Sequence, residues 1–147
     1  MRMCNLQAAV GVAQLEKLER TIARKKEIGE WYTSLLADFP LVELPLAKTD
    51  HAENVYWVYG IVLADKVPFE AAEAQARLAK LGIDSRPFFW CMHEQPVFQK
   101  RGLFHGERHP VAERIARRGF YVPNGLGLER SQIEYIVESL KKILTSA

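Results

Sequence analysis

The residues best suited by type to chemistry gather in one stretch, IDSRPFFWCMHEQPVF (residues 83–98), which sets an arginine, a histidine, a carboxylate and a thiol among aromatic rings. A guanidinium such as Arg86 can fork onto a carboxylate or a phosphate, and can equally form an ordinary surface ion pair. His93 stands in WCMHEQP among aromatics and a methionine. A histidine there either hydrogen-bonds a ligand or is simply partly buried. Glu94 follows it, but neighbours in an extended segment point to opposite faces, so the two make a poor acid/base pair. His51 lies in a polar turn, and His105 and His109 lie in a Gly/Arg-rich loop; all three read as exposed. Cys4 and Cys91 are far apart and form no CxxC or CxxH spacing, so they read as free thiols in a reducing compartment. No serine has a nucleophile-elbow context. NGLGLE is a turn that lacks the GK[ST] of a P-loop. The residues thus describe a ligand-facing loop without a complete catalytic set or a metal-ligand set.

The elements that would carry this loop are readable from periodicity. Leu6, Ala9, Val10, Ala13, Leu18, Ile22, Ile28, Tyr32 and Leu35 fall near helical spacing, predicting one helix from about Asn5 to Ala37 with no evident capping signal. Its first turns, LQAAVGVA, are apolar on nearly every side and so call for cover on more than one side. Arg24, Lys25 and Lys26, flanked by Glu19, Glu27 and Glu30, read as a solvated face. LVEL between Pro40 and Pro45 suits a short extended piece. The aromatic and β-branched run Tyr56–Leu63 predicts the main strand. Pro68 is read as the first helical position of FEAAEAQARLAKL, which Gly82 closes. Pro87 keeps the following extended segment out of a central strand position. CMHEQPVFQKRGLFHGERH reads as a long loop. Pro110 opens a short helix that Gly119 stops, FYVP is a short strand, and the last helix, about Ser131 to Leu144, turns Ile133, Ile136, Val137, Leu140 and Ile143 to one side. The expectation is α+β: a long N-terminal helix (1–38), then a body (39–147) with a small, mostly antiparallel sheet of three to four strands covered by helices on one face, all within one domain.

Composition narrows the function classes. Hydrophobic content of 48% and charged content of 26% are those of a globular chain with its own core. The net charge is +2, with signs interspersed rather than gathered in a basic stripe, which argues against nucleic acid as partner. No apolar run approaches the roughly 18 residues of a membrane span, and a cytoplasmic location is expected.

Several segments, in order, resemble one family. RMCNLQAAVGVAQLEKL resembles the RM-x-x-LQAA-x-G-x-x-QL helix of the DegT/DnrJ/EryC1/StrS family, pyridoxal-phosphate-dependent nucleotide-sugar aminotransferases of fold type I. VYWVYGIVL looks like the strand that follows the family's long helix. GIDSRPFFWCMHEQPVF resembles its segment with an arginine, an aromatic cluster and a histidine facing the active site. HPVAERIARRGFYVPNGLGLERSQIEYIVESLKKIL resembles its closing P-x-A-E, short-strand and final-helix pattern. The wording of RPFFWCMHEQPVF is similar to the perosamine-synthetase-like branch, which acts on GDP-4-keto-6-deoxymannose.

The resemblance implies that the chain corresponds to the C-terminal small domain and connecting helix, without the large domain that in the family holds the Schiff-base lysine and the groups around the coenzyme. It implies substrate-side roles for Arg86, Phe89, His93 and Gln95, and makes Arg2 a remnant of the cofactor-side loop. The lysines of this chain stand in contexts unlike the family's lysine segment. The implied expectation is therefore no pyridoxal phosphate bound by this chain alone, no catalytic residue in it, and no aminotransferase activity on its own. The expected partner is a second copy, meeting it through Leu6, Ala9, Val10 and Ala13, or a large pyridoxal-phosphate domain supplied separately. Two further readings stay open: a stand-alone binding or oligomerisation module that reuses the fold, and an enzyme with a new site around His93.

Overall fold

A computed structural model describes residues 2–146. Helices α1 (Asn5–Leu15) and α2 (Leu18–Leu36) lead into strands β1 (Val42–Glu43) and β2 (Tyr59–Leu63). Helix α3 (Ala71–Ala79), strand β3 (Arg86–Pro87), a 3₁₀ turn at Met92–Glu94 and the short helix α4 (Pro96–Gln99) come next. Helix α5 (Pro110–Arg118) runs directly into β4 (Gly119–Val122), and α6 (Arg130–Thr145) closes the chain. The sheet order is β1-β2-β4-β3 with every neighbouring pair antiparallel, so the fold is α+β, with the proline-bearing strand at an edge.

The pleat divides the sheet into two faces. Tyr59, Ile61, Leu63, Phe120 and Val122 point into the core, where they meet Ile28, Tyr32 and Leu36 of α2, Leu78 of α3, and Ile133, Val137 and Leu140 of α6. Tyr32 stacks on Tyr59 at 4.7 Å and donates its hydroxyl to the Pro123 carbonyl at 2.7 Å. Burial pushes the Tyr59 hydroxyl up to about 12 and raises that of Tyr32 as well, so both phenols stay neutral. The second face carries Gly60, Val62 and Tyr121, which line a surface groove bordered by Ile115 of α5. The ring of Phe88 lies there in a notch made by two glycines: a Cβ would come within 2.7 Å of it at Gly60 and 2.3 Å at Gly119.

The structure corrects several sequence expectations. The N-terminal helix is two helices. At the junction the Lys17 N–H bonds the Gln14 carbonyl, three residues back, at 3.1 Å, and φ, ψ of Lys17 are −103°, 0°. No residue of α1 is buried, so no tertiary packing holds α1 in line with α2. A start signal is present: the Gln7 side chain accepts the Cys4 N–H at 3.1 Å. The main strand begins at Tyr59 rather than Tyr56, because Tyr56 adopts φ +49° and its N–H bonds Asn54 Oδ1 at 2.7 Å, an Asx turn that breaks the extended run. Helix α3 begins at Ala71 with Glu70 as extended cap, and Pro68 stands outside it; Phe69, just before the cap, packs on the core under Arg77. The loop at 91–109 contains the 3₁₀ turn and α4. Gly82 closes α3 as expected, at φ +75°, with Ile83 N–H reaching the Leu78 carbonyl at 3.1 Å.

The Arg24-Lys25-Lys26 run is not a solvated face. Arg24 donates to the carbonyls of Leu126 and Leu128, Lys25 to those of Trp57 and Asn124, and Lys26 pairs with Glu53 at 2.6 Å. These long side chains staple α2 to two loops, a use that charge spacing along a helix does not reveal.

Candidate functional site: an aromatic groove pair on the open sheet face

Two grooves lie side by side on the open face. One, of about 440 Å³, runs over Gly60, Val62 and Phe88 towards Pro45, and is largely apolar. The other, of about 380 Å³, has Arg86, Asp84, Ser85 and Asn124 in its wall. Trp57, Val58 and Tyr121 border both. Arg86 and Tyr121 are directly opposed across β3 and β4, so their side chains share this face. Phe88 and Phe89 flank Tyr121, with centroids at 4.7 and 6.4 Å. The Arg86 side chain is exposed and has no hydrogen bond or ion pair among the described residues. The face therefore offers an unpaired guanidinium at one end, aromatic surface in the middle and an apolar trough beyond, a composition suited to an anionic ligand with a planar or apolar portion.

The residues singled out from sequence are placed in two groups. Arg86 and Phe89 stand beside Tyr121 on the open face, Phe89 being 76% exposed. His93 and Gln95 lie in the segment that follows. His93 is buried, and its Nε2 is 3.0 Å from Glu113 Oε1. Gln95 Nε2 donates to the Trp90 carbonyl at 3.5 Å. Arg2 is exposed at the far N-terminus. His93 and Glu94 sit on a 3₁₀ turn rather than an extended segment, so they are not splayed to opposite faces. His93, Glu94 and Glu113 each offer a ligand atom within 4.8 Å of one another.

That trio is knitted into ion pairs. Glu94 binds Arg117 at 2.6 Å, and Arg117 lies over the Trp90 ring at 4.8 Å. Glu113 accepts the His109 backbone N–H at 2.8 Å as well as His93, with Arg108 at 3.9 Å. The His109 backbone bond, helped by His93 and Arg108, holds the Glu113 carboxyl below the usual range. Glu94 holds Arg117 above its own. Two guanidiniums already balance the two carboxylates, so the residues fit a structural clamp better than a divalent cation. His105 and His109 are four residues apart, but neither lies within a helix, so the spacing does not put them on one helical face.

Sequence reasoning missed Trp57, Tyr121, Asn124 and Glu113. Glu113 is the glutamate of the P-x-A-E pattern, so a signal existed. Trp57 was hidden by its own β-propensity: it reads as strand interior, yet it is 69% exposed.

A pyridoxal phosphate does not fit these residues. Neither groove has a lysine in its wall. Lys25, which bonds residues of their walls, is held by the Trp57 and Asn124 carbonyls, an arrangement that occupies its amine rather than presenting it for a Schiff base. Among the described residues, no helix is long and apolar enough to cross a membrane.

The DegT/DnrJ/EryC1/StrS aminotransferase family matches residues 1–141. The GDP-perosamine synthase of Escherichia coli O157:H7 is 32% identical over 141 residues, which are 96% of this chain and 36% of that protein. The GDP-perosamine synthase of Vibrio cholerae is 33% identical over 141 residues, 95% of this chain and 37% of that protein. Among solved structures, Helicobacter pylori PseC, an aminotransferase involved in the biosynthesis of pseudoaminic acid, covers the whole chain with a TM-score of 0.87 at 21% identity, using 39% of its own length. At that identity the likeness establishes the fold. The chain spans little more than a third of the length of the curated relatives it matches.

Proposed function

This chain belongs to the DegT/DnrJ/EryC1/StrS aminotransferase family, and from that premise we propose that it forms the substrate-side small domain of a nucleotide-sugar aminotransferase of the GDP-perosamine synthase kind. The observation that carries this reading is the open sheet face, where Arg86 is left unpaired beside Tyr121 and Phe89 at the mouth of two grooves. A guanidinium there takes an anionic group of a GDP-linked sugar, and the aromatic surface takes its rings. His93 and Gln95 act on the same site at one remove: through Glu113 and the Trp90 carbonyl they hold the segment that presents Phe89.

The pyridoxal phosphate of such an enzyme supplies the electron sink for amine transfer when bound. In this reading its lysine and phosphate-binding groups come from a large domain outside these residues, and Arg2 marks the approach to it. A face open on one side buries little of a ligand, so affinity of this chain alone for a nucleotide sugar is weak. The bare apolar surface of α1, with Leu6 77% and Val10 58% exposed, is the surface that a large domain or a second copy covers. That same surface favours the second reading, an oligomerisation module that keeps the fold without the reaction.

The test is amine transfer from glutamate to a GDP-linked 4-keto sugar in the presence of pyridoxal phosphate. The chain alone is expected to be inactive, and addition of a separately prepared large domain of a GDP-perosamine synthase is expected to restore transfer. An aldimine absorbance in the chain alone, fixed by borohydride onto one of its lysines, overturns the reading. Failure of any large domain to associate would move the balance to the oligomerisation module.

A further inference from the structure

The geometry points to Trp57 as a residue that contacts a planar ring of the ligand, and to Lys25 and Asn124 as the positioning residues that hold it there; this rests on reading the open face as the ligand side. Three observations carry it. First, the backbone before Trp57 is in a conformation that a bulky residue rarely takes: Tyr56 has φ +49°. Such outliers persist only where the surroundings over-determine them, and they concentrate at ligand-binding segments. Second, the surroundings here do over-determine it. Asn54 Oδ1 takes the Tyr56 N–H, the Asn124 side-chain amide donates to the Tyr56 carbonyl at 2.8 Å and to the Trp57 carbonyl at 3.3 Å, and Lys25 Nζ donates to the Trp57 carbonyl at 3.1 Å and to the Asn124 carbonyl. Third, this fastening acts on the backbone that carries the Trp57 side chain, and Trp57 itself stays 69% exposed on the border of both grooves.

Two half-buried side chains are committed to the clasp at a cost. Burial lowers the Lys25 ammonium from its ordinary value. Asn124 Oδ1 is buried without a partner, left so because its amide nitrogen faces the two carbonyls. Unsatisfied buried oxygens are uncommon and ask for a reason. The reason supplied here is that a backbone held in advance presents a large exposed ring at a set place, which lowers the ordering cost of binding a planar partner. With Arg86 in the same groove, the ligand chemistry is a planar ring carrying an anionic group.

The test uses the full chain and follows the indole N–H signals of its tryptophans by NMR, with Trp57→Phe to assign Trp57 and Trp31 as internal reference. In the parent chain the Trp57 indole is expected to be as rigid as Trp31. Lys25→Met and Asn124→Ala are expected to loosen it while leaving Trp31 unchanged, and Lys25→Arg, which can still reach both carbonyls, is expected to restore it. GDP is the ligand probe: it should shift the Trp57 signal, and Asn124→Ala should weaken that response by about three- to tenfold, the range that ordering one side chain corresponds to. A Trp57 indole that is already mobile in the parent chain overturns the positioning role, whether or not Lys25→Met folds. GDP that shifts the signals of Arg86 and Tyr121 but leaves Trp57 unmoved overturns the contact role alone. GDP that shifts nothing overturns the reading of the face together with this inference.

Discussion

The ring of Tyr56 lies directly against the backbone of Gly29: a Cβ added at Gly29 would stand 2.4 Å from Tyr56 Cγ. Glycine in the middle of α2 costs about 1 kcal/mol relative to alanine in helix propensity. The slot it opens lets Tyr56 sit flush on the helix and stack on Tyr59 at 5.9 Å, next to the Tyr59–Tyr32 pair. Gly29→Ala is therefore expected to destabilise the chain by about 1–3 kcal/mol, as overpacking of a rigid site does. In a Tyr56→Ala background the same substitution should become neutral or stabilising, by up to about 1 kcal/mol. Urea unfolding of the four species of this cycle gives the coupling between the two residues directly.

Gly82 tests backbone conformation without a steric component. It sits at φ +75°, and a Cβ there meets nothing within 4 Å. Gly82→Ala should cost about 1–2 kcal/mol, the penalty of the left-handed region for an L-residue. Gly125, whose added Cβ likewise meets nothing and whose φ is not positive, is the control: Gly125→Ala should stay within about 0.5 kcal/mol of the parent. Equal losses at both positions in a thermal melt would show that Gly82 matters for something other than its dihedral.

These two glycines also mark how much was legible beforehand. Gly82 was readable, because a glycine just after a helical period is local grammar. Gly29 was not, since the residue that needs it is far away in sequence. The same division runs through the molecule. The final helix and its inward face, the proline-opened α5 and the edge placement of Pro87 follow from periodicity and from proline chemistry. The truncation of the main strand at Tyr59 does not, because Asn54, Asn124 and Lys25 overrule the β-propensity of Tyr56 and Trp57 by hydrogen bonds from three separate segments. At the site, Arg86 was singled out by residue type and Phe89 through the family resemblance, whereas the part played by Glu113 depends on His93 and His109 being folded around it.

Glu113 gives the pH prediction. Its folded-state pKa is lowered, first by the His109 backbone N–H and then by His93 and Arg108. A depressed carboxylate stabilises the fold fully above its unfolded pKa, near 4.5, and that contribution is lost as pH falls through the lower folded value. Stability of the parent chain should thus decline with acid below that point. Glu113→Gln keeps a carbonyl oxygen for the His109 N–H but carries no charge, so its acid limb should be shallower. Denaturant midpoints measured from neutral pH to about pH 3 compare the two slopes. Identical slopes would mean that Glu113 titrates as an ordinary surface carboxylate and does not fasten the segment at 91–109.

Helix α1 decides between the partners proposed for its bare face. It buries no residue of its own chain, and glutamate is a good helix former, so Val10→Glu should leave stability within about 0.5 kcal/mol of the parent. An 11-residue helix is only about 16 Å long. Two such helices side by side fall well short of the roughly 1,200–2,000 Å² that a stable interface buries. Self-association through α1 alone is therefore expected to be weak and concentration-dependent in sedimentation velocity, and Val10→Glu should abolish it. A large domain that wraps several sides of α1 would bury more, in keeping with apolar residues as far apart around the helix as Leu6, Val10, Val12 and Leu15. Val10→Glu should accordingly weaken capture of a separately prepared large domain more than it weakens self-association. A tight dimer that survives Val10→Glu would place the contact between copies on another surface, and the open sheet face would then be the first to examine.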